Sequence, residues 1–143
     1  MGTSEERVIG RARGTKLVVF DTSVLMALYE RIQVFELLED LLGEFECVVP
    51  LCVINELMKH LSSRSTRKSK AAEFALNIVK QRCSTVECIQ VSEVDEAVVL
   101  TAKSLRAFIA TLDQEMKKLA RNLGVAVLYY RSSKNRFESF LVV

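Results

Sequence analysis

What most narrows the folds open to this chain is an alternation of short β-branched runs with longer stretches of helical period. Residues 16–20 (KLVVF) read as a strand, bounded by Gly14 and by the turn-prone Asp21-Thr22-Ser23. Residues 24–42 follow as one helix, with Leu28, Phe35, Leu38 and Leu42 near its repeat and Gly43 as a stop. A strand over 45–49 comes next, then Pro50 where a first helical turn tolerates it, and a helix over 51–61. Further strands are expected at 86–91, 107–111 and 125–130, and helices at 70–83, 92–105 and 113–122, with Gly124 ending the last. Strands separated by helices make βαβ units, hence an α/β fold with a mostly parallel sheet of about five strands covered on both faces. In such sheets the ligand crevice lies beyond the carboxyl ends of the strands.

Composition removes several alternatives. Half of the 143 residues are apolar and only 5 are Gly and 1 is Pro, which excludes collagen-like and disordered chains and supplies a core. No repeat or linker interrupts the chain, so residues 16–143 are expected to form one domain behind an N-terminal extension, 1–15. That extension, MGTSEERVIGRARG and Thr15, lacks the apolar stretch of a secretory signal, and no run is long enough to span a bilayer. A cytoplasmic protein with no membrane partner is the expectation. The cysteines fall in two pairs of equal spacing, Cys47/Cys52 and Cys83/Cys88, with no CxxC and no histidine at zinc-finger distance. They read as small, half-buried apolar residues, because a disulfide is unusual in ordinary cytosol, thermophile interiors excepted.

Four acids fall where the crevice should be. Asp21 directly follows the first strand, Asp113 follows the fourth by two residues, Glu56 lies in the helix after the second, and Asp95 opens the helix after the third. Clustered carboxylates repel one another and are tolerated when a hard cation neutralises them. Taken singly, each has a plainer use: Asp21 as a helix cap, Ser92–Asp95 and Thr111–Gln114 as capping boxes, and Glu56 as a solvated helix residue. Capping, however, asks for no acid in the middle of the helix after Pro50.

The blocks VVFDTSVLMAL, VVPLCVINEL, VDEAVVLTAK and AFIATLDQEMKKLA, in that order, resemble the four acidic blocks of the PIN-domain family, from about Leu17 to Tyr130. The resemblance implies a three-layer α/β/α domain, dependence on Mg²⁺ or Mn²⁺, and cleavage of single-stranded RNA. Many members of that family are VapC-type toxins, each with an antitoxin protein and commonly dimeric, while a related branch acts in pre-ribosomal RNA processing. Carried over, the family's acids fall on Asp21, Glu56, Asp95 and Asp113. Asp21, Asp95 and Asp113 would bind metal, and Glu56 would bind a second metal or orient water. Thr111 is the Thr of the strand-end T-x-D element and would support the site. Ser23 stands where the family often has Asn. Glu96 adjoins Asp95, and successive helix positions differ by roughly 100°, so both cannot face inward equally. Asp95, 18 residues before Asp113, suits the family's layout better.

Phosphate contacts need cations. Residues 59–70 carry Lys59, Arg64, Arg67, Lys68 and Lys70 with four serines and no acid, and read as a flexible basic loop. Lys117, Lys118 and Arg121 follow Asp113 and would add to it, as would Arg131, Lys134 and Arg136 after the last strand. His60 stands alone as a helix-end residue, and no P-loop or GxGxxG is present. The expected function is a metal-dependent endoribonuclease, foremost a toxin. An RNA-processing nuclease and a catalytically silent RNA-binding module are the rivals. Because 24–42 is apolar around most of its circumference, a homodimer is also expected.

Overall fold

Leu17-Val-Val-Phe20 can be a strand with nothing polar on either side only if helices cover both faces of its sheet. In the computed structural model, which describes residues 15–141, that is its situation: β1 (Lys16–Phe20) has Val18, Val19 and Phe20 fully buried at the centre of the sheet. Around it lie β2 (Phe45–Pro50), β3 (Cys83–Val86), β4 (Phe108–Thr111), β5 (Val127–Arg131) and β6 (Arg136–Phe140), in the order β3-β2-β1-β4-β5-β6. The first five are mutually parallel, and β6 is antiparallel to β5. Helices α1 (Thr22–Ala27), α2 (Val34–Leu42), α3 (Leu51–Leu61), α4 (Thr66–Arg82), α5 (Val94–Leu105) and α6 (Gln114–Asn122) flank the sheet. Strand order reverses between β1 and β4, the switch point at which doubly wound sheets open a crevice.

Several expectations need correcting. The single helix over 24–42 is two helices, separated by a 3-10 turn at Leu28–Glu30 and by Arg31 in the left-handed region at φ 68°. The break re-aims the second half, so Val24 and Leu25 of α1 and Val34, Phe35 and Leu38 of α2 are all buried in the same core. The apolar circumference that suggested a second copy is thus spent inside the fold. A sixth strand is present that the sequence pattern does not announce. The chain reverses through the 3-10 turn Ser132–Lys134 and Asn135, whose φ is 47°, and the Tyr130 hydroxyl donates to Asn135 Oδ1 at 2.7 Å. Arg131 and Arg136 therefore face each other across a hairpin, where both pair with Glu138 at 3.3 Å.

The third strand lies earlier than its alternating pattern suggested, at Cys83–Val86 rather than 86–91. Its register explains this: Cys47, Val48, Val49 and Pro50 face Cys83, Ser84, Thr85 and Val86, and past Pro50 the neighbouring chain turns into α3. Residues 87–91 have no strand to pair with. The basic stretch is not a loop either. Lys59 and His60 end α3, and Ser65 caps α4 by accepting from the Lys68 N–H at 3.2 Å, so Arg67, Lys68 and Lys70 are helical. Finally, the cysteines form two disulfides, Cys47–Cys83 across β2 and β3, and Cys52–Cys88 from α3 to the segment after β3. Parallel neighbours in register carry the first and the turns leaving them carry the second, so the equal spacing within each pair reflects two strand exits side by side. The expected N-terminal extension lies outside the described residues except for Thr15.

Candidate active site

Asp21 is the first residue past β1, and its extended backbone (φ −86°, ψ 177°) makes it the N-cap of α1. The capping reading is therefore correct as far as it goes: Oδ1 accepts from the Val24 N–H at 3.0 Å and from the Ser23 hydroxyl at 2.7 Å. Its other oxygen accepts from the Thr111 hydroxyl. An ordinary cap is solvated, whereas Asp21 is 4% exposed. Burial outweighs the three hydrogen bonds and, with the nearby Asp113 charge adding to it, raises the carboxyl from 3.8 to about 6.

Thr111 closes β4, one strand over, and is fully buried. Besides donating to Asp21 it accepts from the Asp113 N–H at 2.9 Å, and its oxygen lies 3.3 Å from the Ser23 hydroxyl. Ser23 in turn accepts from the Leu112 N–H at 2.9 Å. Asp21, Ser23, Thr111 and the backbone of 112–113 therefore form one hydrogen-bonded net across the ends of β1 and β4. Thr111 is not the helix cap its motif suggested. Asp113 caps α6 instead, accepting from the Glu115 N–H at 2.9 Å while remaining exposed.

Glu56 reaches the same crevice from the second turn of α3, where its Oε1 accepts from the Thr22 hydroxyl at 2.6 Å. Thr22 is the site residue that sequence reasoning left as part of a turn, although it stands inside the Asp-Thr-Ser run that carries the resemblance. Asp95 lies in the first turn of α5, whose cap is Glu93 rather than Ser92. Its carboxyl is raised by partial burial first, then by the charges of Glu56, Asp113 and Glu93. The acids of three separate elements thus act on one another through a shared field.

A cleft of about 350 Å³ is lined by Asp21, Glu56, Asp95 and Asp113 together, with Thr22 and Ser23 beside them and Val53, Val98 and Met116 as apolar lining. Glu96 does not line it. The donor set is all carboxylate and hydroxyl oxygen, the chemistry of a hard divalent ion. Among the described residues no three acids, cysteines or histidines converge into a ready metal cage.

The expected phosphate ligands are distributed unevenly. Arg67 is paired with Glu30 on the 3-10 turn, with Nε donating at 3.0 Å. Lys117 lies over the rings of Phe140 and Tyr129, at 3.8 and 4.7 Å, and Arg121 also lies over Phe140. Lys118 is 3.9 Å from Glu115. Lys59, Arg64 and Lys68 are exposed and have no ion-pair or ring partner among the described residues.

Residues 18–133 match the family described as PIN like domain. Ribonuclease VapC9 of Archaeoglobus fulgidus is 28% identical over 134 residues, which cover 92% of this chain and 96% of that protein. Among solved structures, the PIN domain endonuclease Utp24 superposes with a TM-score of 0.68 at 24% identity, covering 89% of this chain and 94% of that one. A domain of a functionally unknown protein from Methanocaldococcus jannaschii gives 0.60 at 18% identity, over 90% and 99% of the two chains. No helix among the described residues is long and apolar enough to cross a membrane.

Proposed function

The chain belongs to the PIN-like domain family, and from that premise we propose that it is a metal-dependent endoribonuclease hydrolysing phosphodiesters of single-stranded RNA. The observation that carries the reading is the cleft at the switch point, where four carboxylates from four separate strand exits line one open space. Asp21, Asp95 and Asp113 would hold Mg²⁺ or Mn²⁺, with Glu56 on a second ion or on a water. The set fits such an ion in its chemistry: it offers hard oxygens, and it carries mutual repulsion for a cation to relieve. A divalent ion there would supply charge for the attacked phosphate and lower the pKa of a water, so that hydroxide is available to attack phosphorus.

The chain's own residues do the rest. Thr111 and Ser23 hold the Asp21 carboxylate in one orientation, so that its ionised form is preorganised once the proton leaves. Thr22 fixes one oxygen of Glu56 and leaves the other to orient water or a second ion. Cleavage of a labelled single-stranded RNA with Mn²⁺ and its loss with EDTA test the reading. No metal-dependent product overturns it and favours the silent RNA-binding module.

The near full-length likeness to VapC9 supports a toxin partnered by an antitoxin protein over a role in RNA processing. Growth arrest on expression, relieved by co-expressing a small gene if one lies immediately upstream, is the matching test. Exposed Leu51, Met58 and Leu61 along α3 support a homodimer, which a 16 kDa species in sedimentation would exclude.

A further inference from the structure

Beside the acid cleft, a second groove of about 440 Å³ runs between α1 and the first turn of α4. Met26, Ile32, Ala71 and Leu112 give it an apolar floor and walls, and its size is that of a small-ligand pocket. Ser23 lines both this groove and the acid cleft, so the two hollows meet at one residue. Ser65, Arg67 and Lys68, the cap and first turn of a 17-residue helix with no acid in that turn, line it as well. Lys68 has no ion-pair partner among the described residues, and the paired Glu30 and Arg67 line the groove with an acceptor and a donor side by side.

An apolar slot thus adjoins the site for a phosphate at the acids, and exposed cations of α4 line it too. A strand of nucleic acid sets a flat base beside each phosphate, a pairing that a peptide lacks. We propose that the groove is a nucleobase subsite, holding the base of the RNA nucleotide next to the scissile phosphate. This rests on the RNA-cleavage reading and adds to it where the substrate lies. It also gives RNA an apolar surface apart from the aromatic residues Tyr129, Tyr130 and Phe137, which belong to β5 and β6.

The test is a walk of single abasic residues through a short RNA around its mapped cleavage point, with the full chain and Mn²⁺. One position next to the cut should raise KM roughly tenfold, as losing one packed base does, with kcat within about twofold. Met26→Trp, which fills the groove, should raise KM for intact RNA similarly and add no further penalty on the abasic RNA. Ile32→Trp serves the same purpose should Met26→Trp melt early. A flat abasic profile, or the full abasic penalty persisting in both filled variants, overturns the subsite and leaves the groove to another occupant such as a peptide side chain. Binding of the same RNAs to Asp21→Asn separates the two readings. A position-specific loss of binding without any cleavage by the native chain retains the subsite and removes the nuclease. Cleavage with a flat profile does the reverse.

Discussion

On one wall of the acid cleft, Asp21 and Asp113 stand at the ends of adjacent strands, joined through Thr111 and Ser23 into a buried hydrogen-bonded net. On the other wall, Glu56 and Asp95 ride on helices α3 and α5, with one side-chain hydrogen bond, Thr22 to Glu56, reaching across. The chain compensates for that looser wall covalently. Cys52 lies one helical turn before Glu56, and Cys88 lies on the segment leading to α5, so one disulfide ties the Glu56 helix to the chain that enters the Asp95 helix. Next to it Cys47–Cys83 closes the edge of the sheet. Carboxylates that share a field need fixed supports, and the two walls obtain them by polar preorganisation in one case and by covalent ties in the other.

The largest expected effect falls on the buried wall. Asp21→Asn should lower Mn²⁺-dependent RNA cleavage by roughly a thousandfold, several kcal/mol of lost transition-state stabilisation. The same change should leave the metal-free fold as stable or more stable. Folded, Asp21 keeps its proton up to about pH 6, against 3.8 for an ordinary Asp carboxyl, so between those values the native state binds more protons. Metal-free stability should therefore decline as pH rises from 3.8 towards about 6, by on the order of 3 kcal/mol, and Asp21→Asn should flatten that decline. Chemical melts across that range check both statements. Severe destabilisation of Asp21→Asn would mean that its cap bonds outweigh its buried charge.

Next comes the stapled wall. Each disulfide closes a span of 36 residues, for which chain entropy alone gives about 3–4 kcal/mol. Reduction should lower the melting temperature by roughly 10 °C per bond. Cys52→Ser/Cys88→Ser should also slow cleavage at a temperature where the fold persists, whereas Cys47→Ser/Cys83→Ser should cost stability alone. Equal effects of both pairs on rate would break the comparison.

A smaller test exchanges single hydroxyls. Thr111→Val removes a donor from buried Asp21 and an acceptor from the Asp113 N–H, so cleavage should fall about 10- to 100-fold and its acid limb should move to higher pH, with Thr111→Ser restoring both. Thr22→Val loosens only Glu56 and should cost less, near the lower end of that range, with no shift of the limb. The smallest effect concerns cations. Arg64→Ala/Lys68→Ala should reduce the slope of log affinity against log salt by roughly 0.7 for each RNA phosphate left without its cation. Lys117→Ala/Arg121→Ala should barely move it, because those cations already lie over Phe140.

Much of this was legible in the residues. Parallel strands buried on both faces announce themselves as unbroken apolar runs, and an acid one or two residues past such a run sits at the sheet's rim, so the places of Asp21 and Asp113 were readable from position. Glu56 was readable because no cap needs an acid in that place. Illegible were features set by a neighbour: where β3 begins depends on which residues of β2 it faces, and a polar hairpin such as Arg131–Arg136 offers no apolar run to read. The helix break at Arg31 was hidden for a related reason, since an apolar repeat gives spacing and not the direction of the axis.

By itself, then, the sequence determined the α/β class, the strand exits that carry the four acids, and the resemblance that ties them to one family. Tertiary structure decided the rest. Thr22 and Thr111 are each plausible helix caps locally, and become supports for Glu56 and Asp21 only because β1, β4 and α3 bring together residues 34 and 90 positions apart. The cysteines are unremarkable along the chain and become two covalent ties because parallel pairing sets β2 beside β3 in register. Local spacing fixes what a residue can do with its own helix or strand, whereas burial, field and partner are properties of the neighbours that the fold supplies.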